Sequence, residues 1–157
     1  GAAIACAEQA SPPSAKGPQP VTWTAEVGEQ TPAADGSVLV SVRVKATIDN
    51  GWHVYAPSQP GQGPTPLSVK IDSSSSIALS SSIAVPIPQK AMDPNFGIET
   101  ATYSGEPVIT VPIRVSAEAM KSGKPIAVKV RSQACSDKFC LPAKTTTLSV
   151  KLPPHKT

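Results

Sequence analysis

The chain has 157 residues, enough for one domain and short for two, with 39% hydrophobic and 16% charged residues, a balance that suits a folded domain. Its net charge of +3 comes from 14 basic and 11 acidic residues with no basic cluster, which argues against a nucleic-acid footprint. No apolar run approaches the ~20 residues that span a bilayer, and 18 prolines oppose long helices, each costing about 3 kcal/mol inside one.

Residues 1–20 form a leader of Ala, Ser, Pro and Gln that cannot bury enough apolar surface to fold. Within it, Ala2-Ala3-Ile4-Ala5 looks like the end of a signal peptide, and Cys6 follows as in a lipobox. Cys6 is thus a candidate lipidation site with a Pro/Ser/Ala tether behind it, or else an incidental thiol, and Ala3 stands where a lipobox usually has Leu. Residues 21–153 are expected to form the domain and 154–157 a tail.

From Val21 the pattern turns to period two, the mark of half-buried strands. Val21, Trp23, Ala25 and Val27 share one face of a first strand, and Pro32-Ala33-Ala34-Asp35-Gly36 makes a turn. Val38, Val40, Val42, Val44, Ala46 and Ile48 then line the clearest strand face in the chain. Asn50-Gly51 predicts a hairpin turn, since both residues tolerate positive φ, leading into Trp52-His53-Val54-Tyr55. Alternation sets His53 opposite Trp52 and Val54, which predicts a surface or edge histidine.

Residues 57–64 are turn chemistry, and Leu67, Val69 and Ile71 mark another strand. Residues 73–82 are serine-rich, either a polar edge strand carrying Ile77 and Leu79 or a loop. Val85-Pro86-Ile87-Pro88 belongs to a sheet edge or an extended linker. Met92 to Gly97 reads as a loop, followed by strands at Glu99–Tyr103 and Val108–Val115, the second placed at an edge by Pro112. Ser116 caps a single helical turn that Ser122-Gly123 ends. Strands at Ile126–Val130 and Thr145–Val150 flank the last notable block. Short strands with Gly/Pro turns and almost no helix predict an all-β fold, a β-sandwich.

That block, Gln133-Ala134-Cys135-Ser136-Asp137-Lys138-Phe139-Cys140-Leu141-Pro142, holds two of the three cysteines. A cross-link between them would close a ring of about six residues, for which the chain-entropy model returns only about 2 kcal/mol. So small a return favours chemistry over stapling. Lys138 between the sulfurs favours a thiolate and Asp137 opposes it. A structural disulfide is the competing reading, common in secreted domains. Zinc would need two more ligands, and Cys6, His53, His155 and the carboxylates are not paired by spacing. The pair is too close for an immunoglobulin inter-sheet bridge, which joins distant strands. No metal or cofactor is expected.

The block and the strand after it resemble the N-terminal periplasmic domain of the thiol:disulfide interchange protein DsbD. Asn50-Gly51-Trp52-His53-Val54-Tyr55 resembles that family's Gly-aromatic-x-x-Tyr strand, and Met92-Asp93-Pro94-Asn95-Phe96-Gly97 its acidic, Phe-containing cap loop. The resemblance runs from about Val21 to Leu152. It implies an immunoglobulin-like sandwich and a redox-active Cys135–Cys140 disulfide in a periplasmic or extracytoplasmic setting. It further implies that Cys140 forms the mixed disulfide and Cys135 resolves it. Phe96 would be the shielding cap, Asp93 and Asp137 the nearby acids, Tyr55 an aromatic beside the pair, and Phe139 a contact for an incoming chain.

The implied partners are thioredoxin-like or membrane-embedded thiol:disulfide oxidoreductases. Nucleic acid is not expected, and membrane contact would come only through Cys6. Four residues separate the cysteines where the best-known member has five, and Asp93-Pro94-Asn95 carries one acid where the family has an adjacent pair. The family's membrane-embedded and thioredoxin-like domains are not in this chain, and its leader and tail favour a stand-alone protein. A non-catalytic interaction module, its disulfide rigidifying a binding loop, is the alternative function.

Overall fold

The computed structural model describes residues 17–153, so the expectations for the signal-like segment, Cys6 and His155 lie outside the described residues. Pro20 is already part of the domain: it is buried, and its carbonyl accepts the Asp49 N–H at 2.8 Å. The described residues form eleven strands and one short helix: β1 Val21–Pro32, β2 Val38–Ile48, β3 His53–Tyr55, β4 Ser68–Ile71, β5 Ile77–Leu79, β6 Gln89–Asp93, β7 Ile98–Tyr103, β8 Val108–Val115, α1 Ala117–Ser122, β9 Ile126–Ser132, β10 Ala134–Cys135 and β11 Lys144–Val150.

Every strand pairing is antiparallel, in three sheets ordered β1-β2-β8-β5, β10-β3-β7-β6 and β11-β9-β4. The first sheet is one layer. The second and third share the run from β9 into β10 and together form the facing layer, so the fold is the expected all-β, immunoglobulin-like sandwich. Alternation builds the core: Val40, Val42 and Val44 of β2 and Ile109, Val111 and Ile113 of β8 are almost wholly buried. Val54, Ala101 and Tyr103 meet them from the second sheet, and Val128 and Val130 from the third. Each such valine or isoleucine contributes about 1.5–3 kcal/mol over an exposed one.

Two expectations need correction. Asn50-Gly51 does not close a hairpin, because β2 and β3 belong to different sheets. Gly51 has φ +83° while, among the described residues, none other than glycine has a positive φ, so the type I′ hairpin geometry, which needs it at both positions, is not formed. The turn, closed by Trp52 N–H to Asp49 O at 3.1 Å, instead carries the chain from one layer to the other. Pro112, for its part, lies on β8, an interior strand. The Thr110 N–H and the Pro112 carbonyl bond to Ala84 and Ser80, so the missing donor of Pro112 faces the side where short β5 has ended, and the β2 ladder stays whole.

The α1 turn matches its signals, with the Ser116 hydroxyl accepting the Ala119 N–H and Gly123 in the left-handed region at φ +68°. The serine-rich segment contributes β5 at the sheet edge. The strand before the predicted cap loop begins earlier than Met92, because Gln89–Asp93 pairs with β7 through Asp93↔Ile98. The cap is therefore the tip of a β-hairpin, closed by Gly97 N–H to Asp93 O at 2.8 Å.

Candidate functional site: a disulfide on the outer face of the second sheet

Because Val54 and Ala134 point into the core, their neighbours His53, Tyr55 and Cys135 point to the opposite face of the second sheet. Tyr55 and Cys135 are both 0% exposed yet stand outside the core cluster. On this face Asp93 and the Phe96 ring of the 93–97 hairpin pack on Tyr55, and Cys135 is joined to Cys140 at the far end of the cysteine loop.

Cys135 and Cys140 are joined by a disulfide with Cα atoms 4.0 Å apart. The loop between them is a tight hairpin, held by Ser136 N–H to Phe139 O and Leu141 N–H to Ala134 O, both 2.9 Å. The Ser136 hydroxyl accepts the Lys138 and Phe139 N–H groups, at 3.2 and 3.3 Å. Gln133 fastens the base: its Oε1 accepts the Thr65 N–H at 2.8 Å and its Nε2 donates to Leu141 O at 3.3 Å. Asp137 and Lys138 are exposed at the tip. Cys140 is partly exposed while Cys135 is not at all. Beside Cys140, Phe139 is 49% exposed and meets Trp52 edge-on with ring centroids 5.4 Å apart.

Asp93 is the polar centre. Only 4% exposed, it accepts the Tyr55 hydroxyl at 2.6 Å and the Thr100 hydroxyl at 3.1 Å on Oδ2, and the Asn95 N–H at 2.8 Å on Oδ1. Desolvation, the largest single influence, pushes its carboxyl upward. The hydrogen bonds from Tyr55, Asn95 and Thr100, with the charge of His53, together outweigh it and hold Asp93 below the ordinary carboxylate value. Burial, then the hydrogen bond and charge of Asp93, push the Tyr55 phenol strongly up.

The cap reaches the cysteine loop through Asn95, whose Nδ2 donates to Ser136 O at 2.6 Å. Phe96 is not in the inter-sheet core. Its ring stands edge-on to Tyr55 at 5.8 Å and lies against the loop at Gly63. A Cβ at Gly63 would come within 2.9 Å of that ring, so the close approach requires glycine there.

The structure thus joins Tyr55, Asp93 and Phe96 to one another, ties their hairpin to the cysteine loop through Asn95, and sets Phe139 against Trp52, with Asp137 and Lys138 exposed at the loop tip. It also adds a residue that the sequence reading set aside. His53 is not a surface histidine: its side chain is 16% exposed, Nε2 lies 2.9 Å from the Tyr55 hydroxyl and 3.7 Å from Asp93 Oδ2. The signal was present in its spacing, since a residue two positions from Tyr55 shares its face of the strand. Among the described residues no cluster of three or more His, Cys, Asp or Glu stands where it could hold a metal ion, and no helix is long and apolar enough to cross a membrane.

These features define a class: a β-sandwich domain carrying a disulfide in a short loop that the neighbouring 93–97 hairpin reaches through Asn95. The chain belongs to the family described as thiol:disulfide interchange protein DsbD, N-terminal, whose model matches residues 20–152. It is thus a domain of the thiol–disulfide interchange class, whose partners in general are other thiol–disulfide proteins. No curated protein sequence matches the chain. Among solved structures, the collagen-binding subdomain ACE19 of the Enterococcus faecalis surface protein ACE is 7% identical, covering 87% of this chain and 99% of its own, with a TM-score of 0.42. The yeast GGA1 GAE domain is 10% identical, covering 88% and 96%, with a TM-score of 0.39. Neither likeness bears on function.

Proposed function

We propose that this domain relays reducing equivalents by thiol–disulfide exchange outside the cytosol, Cys140 being the attacking sulfur and Cys135 the resolving one. The unequal exposure of the pair carries this reading: Cys140 is partly exposed and Cys135 wholly buried, so Cys140 is the residue a partner meets first once the cap lifts. In the reduced domain the Cys140 thiolate attacks a partner disulfide, forming a mixed disulfide and releasing one partner thiolate. Cys135, as thiolate, then attacks Cys140 Sγ, which restores the intramolecular bond and releases the second partner thiolate. Phe139 offers the partner an apolar contact beside the reacting sulfur.

Phe96 and Asn95 keep the site covered between encounters. Lifting the cap costs the Asn95–Ser136 hydrogen bond and the Phe96–Tyr55 ring contact, about 1–3 kcal/mol together. A closed state held by so little opens often enough for a partner and still excludes most chance encounters.

A periplasmic or other extracytoplasmic setting follows from the family and suits a disulfide. The donor that recharges the pair would be a thioredoxin-like or membrane-embedded thiol:disulfide oxidoreductase, and lipidation at Cys6 would tether the domain near the latter. The roles are tested by trapping. Cys135→Ala should accumulate a mixed disulfide through Cys140 in a periplasmic extract, and Cys140→Ala should trap much less. Equal trapping by the two variants would overturn the assignment, and no trapping by either would overturn the relay.

A further inference from the structure

We infer that His53 is the charge partner of the buried sulfur, its imidazolium stabilising Cys135 as a thiolate whenever the disulfide is open. This rests on the exchange reading and deepens it. Cys135 Sγ carries the charge in both directions of exchange, as the leaving thiolate when the disulfide is reduced and as the attacking thiolate when it re-forms, and a residue 0% exposed has no solvent to stabilise that charge. Something in the protein must do it.

His53 is placed for the task by strand register. β10 pairs with β3 so that Cys135 is directly opposite His53, and directly opposed residues of an antiparallel pair project from the same face with Cβ atoms about 4.5–5.5 Å apart. The ring is also held with a defined proton. Tyr55 has one hydroxyl hydrogen and gives it to Asp93 at 2.6 Å, so toward His53 it can only accept. The 2.9 Å contact therefore carries the Nε2–H of His53, leaving Nδ1 to take up the second proton that makes the ring a cation. Asp93 Oδ2 lies 3.7 Å from Nε2, a carboxylate on the side of the ring away from Nδ1.

The titratable groups facing His53 are Tyr55 from its own strand, Asp93 from β6 and Cys135 from β10. β7 offers this face only the neutral Ile98, Thr100 and Thr102, and Asp137 and Lys138 stay at the exposed tip of the cysteine loop.

When a dithiol reduces the domain, its thiolate attacks Cys140 Sγ, the Cys135–Cys140 bond breaks, and a Cys140–partner disulfide forms. The electron pair leaves on Cys135 Sγ beside the imidazolium. The partner's second thiol then attacks its own mixed-disulfide sulfur, leaving both protein sulfurs reduced and the partner oxidised. The ring lowers the cost of the first leaving group, and a better leaving thiolate leaves faster.

The test is reduction of the full chain by dithiothreitol, with the rate divided by the concentration of dithiothreitol thiolate, from pH 5.5 to 8.5, in the wild type and His53→Gln. Glutamine keeps an N–H for Tyr55 and removes the charge. The wild-type normalised rate should fall about tenfold from pH 5.5 to pH 8.5, while the variant is flat, about tenfold slower at pH 6 and equal at pH 8.5. If His53→Gln does not fold, His53→Lys carries the test, since its fixed charge should hold the acid-side rate up to pH 8.5. A uniform slowing at every pH would assign His53 a merely structural role, and identical profiles would remove it from the chemistry; either overturns the inference and leaves the relay standing. A wild-type disulfide that dithiothreitol does not reduce at any pH would overturn both.

Discussion

Replacing Tyr55 with Phe removes one atom from the centre of the site and leaves the packing in place. The phenyl ring can keep its edge contact with Phe96 and its burial, so the change isolates a hydroxyl that donates to Asp93 at 2.6 Å and lies 2.9 Å from His53 Nε2. A hydrogen bond to a buried charge is worth about 1.5–3 kcal/mol. Asp93 retains Thr100 and the Asn95 N–H, and His53, with a side chain 16% exposed, recovers part of its loss with water. The expected destabilisation is about 2 kcal/mol at pH 7.

The pH dependence has a definite sign. Asp93 is held below the ordinary carboxylate value, so its contribution is complete above the unfolded-state value of about 3.9 and is lost as pH falls through the lower folded value. The stability difference between wild type and Tyr55→Phe should therefore hold from neutral pH down to about 4 and shrink in more acidic solution. Urea denaturation of the oxidised proteins at several pH values measures it. A loss under about 0.5 kcal/mol at pH 7, or one that does not change with acidification, would falsify the view that Asp93 is a charged, Tyr55-bonded anchor.

Two further substitutions probe the cover. Phe96→Ala should raise the rate at which small disulfides oxidise the reduced pair, followed by thiol alkylation, and an unchanged rate would count against shielding. Gly63→Ala places a methyl group 2.9 Å from the Phe96 ring at φ +150°, a backbone state that residues with side chains rarely adopt. It should cost about 1–2 kcal/mol by urea denaturation and raise the same oxidation rate by displacing Phe96.

Much of this arrangement was legible in the sequence because alternation is a local signal. Val38 through Ile48 announced a core strand, and Ser116 with Gly123 announced the helical turn. What failed depended on partners far away in the chain. Asn50-Gly51 is a hairpin signal in isolation, but whether two strands pair or part into different layers is decided by what else covers their edges. Pro112 is compatible with an interior strand only because β5 is short, a fact about Ile77–Leu79 and not about Pro112.

The site divided in the same way. The cysteine block and the cap were recognisable as motifs, and Tyr55 came with them. His53 was misread because alternation says which face a residue takes and not what covers that face. An outer face normally meets water. Here Asp93 and Phe96 of the 93–97 hairpin pack on Tyr55, and that cover leaves the His53 side chain only 16% exposed.

The central claim is that the Cys135–Cys140 bond exists to be broken and remade, and its reduction potential tests that most directly. Equilibrating the full chain in redox buffers of defined poise, and counting free thiols by alkylation and mass, gives the potential. An exchanging pair should lie above about −300 mV, within reach of biological dithiols. A value well below about −300 mV is that of a structural disulfide and would contradict the account, leaving a β-sandwich whose short disulfide only stiffens a loop.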